Sequence, residues 1–205
     1  MIYPIWPLFV TVFLGADVVV LGFIDGIGDA LVSISSAFSG YLSDKLRRRK
    51  IFVWTGYLSS GLARFGYALS PTWLYLALFK ALDRAGKIRG APRDAMVAEL
   101  SSKSNRGSNF GFLRAMDNFG AIIGITLSIL LLRYLGFRNL IFLAAIPSFF
   151  SVCIIYLFIK EKKFDTQKRS FSLNLFDRNF RLFVFVNGIF ALGAFSYSFF
   201  LLYVK

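Results

Sequence analysis

Residues 43–50, Ser43-Asp44-Lys45-Leu46-Arg47-Arg48-Arg49-Lys50, form a short basic hinge between two long apolar stretches, 18–42 and 51–69. Each stretch is about as long as the roughly 20 residues a helix needs to cross the hydrocarbon core of a bilayer. Loops that keep Lys and Arg remain on the cytoplasmic side during insertion, so this hinge orients every segment before and after it. A charge run on a soluble protein lies on a solvated face and is not flanked by two bilayer-length apolar runs.

The rest of the composition agrees. Of 205 residues, 57% are hydrophobic, 25 are Phe and only 17% are charged, which predicts an all-α integral membrane protein. The formal charge of +13 would suit nucleic acid, but the cations sit in hinges between apolar spans and make no continuous stripe, so the bilayer and its anionic headgroups are the expected partner and nucleic acid is not. The single Cys153 excludes an intrachain disulfide, and with no His any proton chemistry falls to carboxylates. The sequence carries no P-loop, metal-ligand cluster, cofactor-binding Gly pattern or nucleophilic triad, so neither an enzyme, a metal site nor a cofactor is expected.

Taken in order, residues 1–14 read as part of a helix too short to span, carrying Pro4 and Pro7. Gly15-Ala16-Asp17 makes a turn, and the next helix descends through Asp25 and Asp29, spaced i and i+4 on one face, to the basic hinge. A third helix rises past Arg64 to Ser70-Pro71-Thr72. The fourth segment, 73–100, exceeds the bilayer and should bend at Pro92. It carries Lys80, Asp83, Arg84, Lys87, Arg89, Arg93 and Asp94, with Lys87 and Arg89 expected near the inner surface against headgroups. A polar hinge, 100–109, leads to a fifth helix, 110–132, with Arg114, Asp117 and the small pair Gly120 and Gly124. Gly136 turns the chain into a sixth helix, 139–159, and a basic linker, 160–181, precedes a last apolar segment, 182–204. The hinges 43–50, 100–109 and 160–181 hold most loop cations and fall on one side, the cytoplasmic one, whereas the opposite turns hold only Arg133 and Arg138. Trp6, Trp54 and Trp73 read as interfacial belt anchors.

The hinge pattern Gly40-x-Leu42-Ser43-Asp44-Lys45-x-x-Arg48-Arg49 resembles the signature loop between the second and third helices of the major facilitator superfamily (MFS), whose pattern has Gly where Arg47 stands. Asp83-Arg84-Ala85-Gly86-Lys87 with Ala91-Pro92-Arg93-Asp94-Ala95 is similar to the charged fourth-helix block of an efflux-permease branch of that superfamily. Gly120-x-x-x-Gly124 is similar to a fifth-helix motif of its drug/proton antiporters, with Ile125 where those carry Pro. The resemblance implies an MFS-type helical bundle of six to seven transmembrane helices with an incomplete first helix and the second half missing. Its parts are a six-helix half at 1–159, a cytoplasmic central linker at 160–181, and the start of the second half, the seventh helix, at 182–205. It also implies a multi-pass protein of the cell membrane and secondary, proton-coupled transport of a small solute by alternating access, with efflux as the direction of the similar branch. A carboxy-terminal half or a second copy is then the protein partner. The alternative is a non-transporting membrane subunit or a truncated, degenerate fragment.

Ionisable groups inside the hydrocarbon cost several kcal/mol unless paired or wetted. Counted from the hinge, Asp29 and Arg64 lie about thirteen to fourteen residues up neighbouring helices, at matching heights of about 20 Å, which predicts that they pair. Asp83 and Arg84 are nearly level with Arg114 and Asp117 by the same count. Two readings stay open: the pairs hold helices in register, or they line an aqueous midplane cavity. In the second, Asp25, Asp29, Arg64, Arg84, Arg114 and Asp117 form the substrate and proton pathway, with Asp29 and Asp117 as proton carriers. The excess of cations over anions within the spans points to an anionic solute. Gly40, Asp44, Lys45, Arg48, Arg49, Asp83, Arg93 and Asp94 are assigned to a cytoplasmic gate.

Overall fold

The computed structural model describes residues 4–161, 177–192 and 196–203, and these form helices joined by short turns with no strand among them. The apolar start folds into a three-residue helix α1 (Trp6–Leu8) that widens into a π-turn, Phe9–Phe13. Gly15, at φ 68°, then reverses the chain. Helix α2 (Val18–Leu46) runs down to the basic hinge and ends on Arg47, whose φ of 54° and ψ of 30° are left-handed. This is the position where the family pattern has Gly, the residue that adopts such a C-terminal turn without strain. Helix α3 (Arg49–Leu69) returns, and α4 (Trp73–Ala85) descends beside it.

The fourth segment departs from its expected bend. The break is not at Pro92 but in the tight 3-10 turn Gly86–Arg89, after which α5 (Gly90–Leu100) resumes with Pro92 in its first turn. Pro92 still favours the break: it donates no N–H to the turn before it and crowds the carbonyl four residues back, so it is stable near a helix start and unstable inside one. Helix α6 (Arg106–Phe158) contains both the expected fifth and sixth spans, broken at Gly136, whose φ of 68° and ψ of 176° suit only a residue without Cβ. Helices α7 (Arg178–Leu192) and α8 (Tyr197–Tyr203) follow. Residues 162–176 of the expected basic linker lie outside the described residues.

By length and composition α2 and α6 are apolar enough to cross a membrane, and α6 is divided at Gly136 into two arms. Both expose long rows of Val, Ile, Leu and Phe, which in water would be a liability and in lipid is the expected surface. Helix α3 is the hub, packed along the second arm of α6 on one side and on α4 and the 3-10 turn on the other; α2 covers α4, the turn and α5. The apolar core gathers at the end remote from the basic hinge, where Trp6, Phe9 and Val10 meet Leu21, Tyr67, Leu76, Leu140 and Ile141. Trp6, expected as an interfacial anchor, is instead only 2% exposed. Trp54 stacks edge-on against Tyr156, their ring centres 6.1 Å apart.

Candidate functional site

Helices α2 and α4 run in the same direction, being separated by two reversals of the chain, and each carries two ionisable residues four apart. The result is a two-rung ladder. On the upper rung, Lys80 Nζ stands 3.2 Å from Asp25 Oδ1, with both side chains below 10% exposure. On the lower, Arg84 Nη2 lies 3.9 Å from Asp29 Oδ1. Gly28 makes room between the rungs, since a Cβ there would meet the Arg84 stem at 3.2 Å and Lys80 Cε at 3.6 Å.

Asp25 is the most heavily bonded group of the ladder. Besides Lys80, its carboxylate accepts from Trp6 Nε1 at 3.1 Å, Ser196 Oγ at 2.9 Å and Ser198 Oγ at 2.7 Å. Lys80 Nζ in turn sits 3.6 Å from the centre of the Trp6 ring, so one indole supplies an N–H to the anion and a π face to the cation. At 1.5 Å per residue, Asp25 is about 10 Å along α2 from its first residue and about 30 Å from the hinge end. The ladder therefore lies at the end of the bundle remote from the hinge.

The expected Asp29–Arg64 pair does not form. Arg64 turns to the other side of α3, where its Nη1 donates to Ala144 O at 2.7 Å and Ser148 Oγ at 2.5 Å on the second arm of α6, beside Pro147. Height alone matched the two residues; the faces of α3 and α4 that look toward α2 decide the partner, and Arg84 occupies the one facing Asp29.

Arg114 and Asp117 likewise do not meet the Asp83–Arg84 step. They join Arg93 and Asp94 in a four-charge cluster between α5 and α6: Arg93 to Asp117 at 3.2 Å, Arg93 to Asp94 at 3.4 Å, Arg114 to Asp94 at 2.9 Å and Arg114 to Asp117 at 3.7 Å. Two cations and two anions balance. Arg89, expected among headgroups, is drawn inward instead. Its Nη1 donates to Gly86 O at 2.9 Å, Ser60 Oγ at 2.9 Å and Gly56 O at 3.4 Å, with its guanidinium 4.6 Å from the Tyr57 ring centre. Ser60 Oγ lies 3.5 Å from the backbone carbonyl of Asp83.

A third group closes the basic end. Arg49 bridges Asp44 of α2 at 2.8 Å and Glu99 of α5 at 2.6 Å. Glu161 Oε1 accepts from the backbone N–H of Arg49 at 2.6 Å and of Lys50 at 3.1 Å, capping α3 from beyond the end of α6. Lys50 Nζ completes this corner by donating to Tyr156 O at 2.8 Å. Gly40 packs α2 onto Ala91 of α5, Lys45 lies 5.9 Å from the Tyr41 ring, and Arg48 is the exposed residue preceding α3.

Lys80, Glu99 and Glu161, which the sequence places in no site, and Trp6, expected as a belt anchor, are thus part of these groups. The matched i, i+4 spacing of Asp25/Asp29 and Lys80/Arg84 is the signal that finds Lys80. Among the described residues no group of His, Cys, Asp and Glu is arranged to hold a metal.

The Major Facilitator Superfamily model matches residues 1–205. An uncharacterized MFS-type transporter of Methanocaldococcus jannaschii is 38% identical over 208 residues, covering 98% of this chain and 52% of that protein. Multidrug resistance protein MdtH of Salmonella arizonae is 31% identical over 145 residues, 70% of this chain and 35% of its own length. An uncharacterized protein of Mycobacterium tuberculosis is 34% identical over 116 residues. The chain spans about half the length of the first of these curated relatives and a smaller share of the others. With an all-helical bundle, ion pairs inside its apolar segments and a match running from the first residue to the last, this chain belongs to the Major Facilitator Superfamily.

Proposed function

We propose that this chain supplies the amino-terminal part of a secondary transporter that moves a small solute across the cell membrane by alternating access, coupled to protons, and that it is not an enzyme. In this reading residues 1–159 are the first six-helix half, 160–181 the cytoplasmic linker and 182–205 the start of the second half; the hinges 43–50 and 100–109 also face the cytoplasm. The observation that carries the proposal is the charge ladder. Burying Asp25 and Lys80 inside an apolar bundle is expensive, and intramembrane ion pairs of this kind mark solute and ion pathways.

The roles divide by position. Asp25, Asp29 and Arg84, with Lys80, border the pathway from the α2–α4 side, and Arg64 from the α3–α6 side. Arg114 and Asp117 continue toward the basic end. There Asp44, Lys45, Arg48, Arg49, Arg93 and Asp94, packed through Gly40, form the cytoplasmic gate, whereas Asp83, expected with them, stands on α4 between Lys80 and Arg84 at the height of the ladder. Asp29 is the proton carrier that fits best: its side chain is 69% exposed and its Arg84 partner is at the limit of ion-pair distance, so protonation breaks little. The name of the MdtH relative makes drug-like solutes the first to test, with efflux as the direction.

The test is transport by the chain joined to, or co-reconstituted with, the carboxy-terminal half that its longer relatives possess. In proteoliposomes under an imposed pH gradient, lipophilic cations and organic anions are offered as separate panels, and proton movement is followed with a trapped pH dye. Solute-dependent proton flux that is lost in Asp29→Asn supports the reading, and flux unchanged by that substitution removes Asp29 from it. Assembly with the carboxy-terminal half but no flux for any solute favours a non-transporting subunit.

A further inference from the structure

Asp25 binds two hydroxyls that do not belong to the first six helices. Ser196 and Ser198 lie at the start of α8, more than 170 residues away in sequence, and both Oγ atoms donate to the same oxygen, Oδ2, while Lys80 and Trp6 hold Oδ1. The two carboxylate oxygens are thus divided: one fixes Asp25 within the first half, the other reaches across. Ser198 is fully buried in this contact. Its neighbour Phe199 lays its ring over Gly22, one turn above Asp25 on α2, where a Cβ would stand 2.8 Å from the ring's Cζ. Leu202, one turn further on, packs against the apolar core. Helix α8 also touches α1, which carries Trp6.

We infer that Asp25 is the seat of a latch that holds residues 196–203, the opening of the second half, onto the first half and so closes the end of the bundle remote from the basic hinge. Lys80 and Trp6 are positioning residues: both engage Oδ1 and so leave Oδ2 facing α8. The contact is shaped for release. Among the described side chains, α8 contributes two hydroxyl donors, one ring seated on a glycine and one leucine, and no ion pair. Withdrawal of α8 leaves Asp25 with Lys80 and Trp6, so neither charge is stranded. The inference rests on the proposed placing of 182–205 in the second half, but its test reads the contact alone and needs no transport.

In a Cys153→Ser background, Leu202→Cys is introduced as a reporter on α8 itself, at the apolar edge of the latch and away from the Asp25 hydroxyls, and its labelling by a hydrophilic maleimide is timed on the purified chain in detergent. Asp25→Ala is expected to raise the labelling rate tenfold or more. The pair Ser196→Ala and Ser198→Ala, which leaves the ladder intact, should do the same. A buried control, Ser70→Cys at the end of α3, should label at an unchanged rate. A reporter rate within twofold of the parent in both variants overturns the latch, and so does an equal rise at the Ser70 control, because the carboxylate would then be supporting the whole bundle. Failure of solute flux with the labelling result intact would remove the transport reading and leave the latch standing.

Discussion

Replacing Lys80 with Met measures how strongly the upper rung holds the bundle together. Met keeps most of the stem's volume and removes the charge. In the native chain the ammonium stands 3.2 Å from Asp25 Oδ1 and 3.6 Å from the Trp6 ring centre. At an effective dielectric of about 20, opposite charges at that distance attract by about 5 kcal/mol, and the ring adds about 2 kcal/mol in a desolvated site. Most of this offsets the cost of having brought both charges out of water, so the pair adds little net stability. Cutting it from one side leaves the buried Asp25 carboxyl facing only neutral donors, and truncating one partner of a buried pair costs about 3–5 kcal/mol. Asp25→Asn should cost less, about 2–3 kcal/mol, because the ammonium keeps the ring and an amide oxygen. The double variant should recover about 2 kcal/mol of the summed losses, since neither charge is then left alone. The assay is denaturant unfolding of the purified chain in detergent, followed by tryptophan fluorescence. A Lys80→Met loss under about 1 kcal/mol, or single losses that add in full, would show that water reaches the pair, and the ladder would no longer be a buried element.

Four further outcomes test other parts of the molecule. Gly56→Ala and Gly86→Ala should each destabilise the chain by about 2–3 kcal/mol in the same titration, because a Cβ on Gly56 would stand 2.6 Å from Gly86 O and one on Gly86 would stand 2.8 Å from Gly56 O, contacts that only backbone movement relieves. Glu161→Gln keeps an acceptor for the α3 N-terminus but loses its charge, and should cost about 0.5–1 kcal/mol, diminishing as salt is raised. Glu99→Ala should increase trypsin cleavage after Arg49 severalfold by freeing the guanidinium, whereas Asp44→Ala, which removes the more exposed partner, should change it less. Arg47→Gly should be neutral or stabilising by up to about 1 kcal/mol, the left-handed backbone being relieved while the unfolded chain gains freedom.

Much of the bundle can be read from composition because the bilayer leaves few choices: spans must be long, apolar and helical, and cations stay on one side. Gly136 announces its turn because nothing else adopts its backbone angles, and the hinge motif marks the reversal from α2 to α3. The partners of the buried charges are less legible. Counting residues from the hinge fixes the height of Asp29 and Arg64 but not the rotation of α3, and rotation sends Arg64 to Ser148. Trp6 looks like a belt residue because a Trp near a turn usually is one; its burial depends on Lys80 and Asp25, which sequence distance separates. Glu99 and Glu161 look solvated at the ends of apolar runs. Yet α3 begins Arg49-Lys50 with no acid in its first turn, so its orphan N–H groups and its dipole require an anion from elsewhere, and that is the place where Glu161 could have been sought.

The turn at Gly86–Arg89 explains how one segment serves two partners. Four residues wound at three per turn rotate the chain about 80° further than four at 3.6 per turn. Lys80 and Arg84 above the turn face α2, while Arg93 and Asp94 below it face Arg114 and Asp117 of α6. A continuous α-helix would point the lower pair elsewhere and break the four-charge cluster. Pro92 starts α5 and disfavours such a helix; Arg89, bound to Gly56, Ser60 and Gly86, holds the turn shut against α3. Neither restraint acts alone, so Pro92→Ala by itself should leave the turn in place. Pro92→Ala with Arg89→Ala should let the helix run through, and spin labels on the exposed faces of α5 and α6 should then report a shift of several Å, the arc that about 80° sweeps at side-chain radius. An unchanged label distance in the double variant would mean that the Gly56–Gly86 contact fixes the turn without either residue.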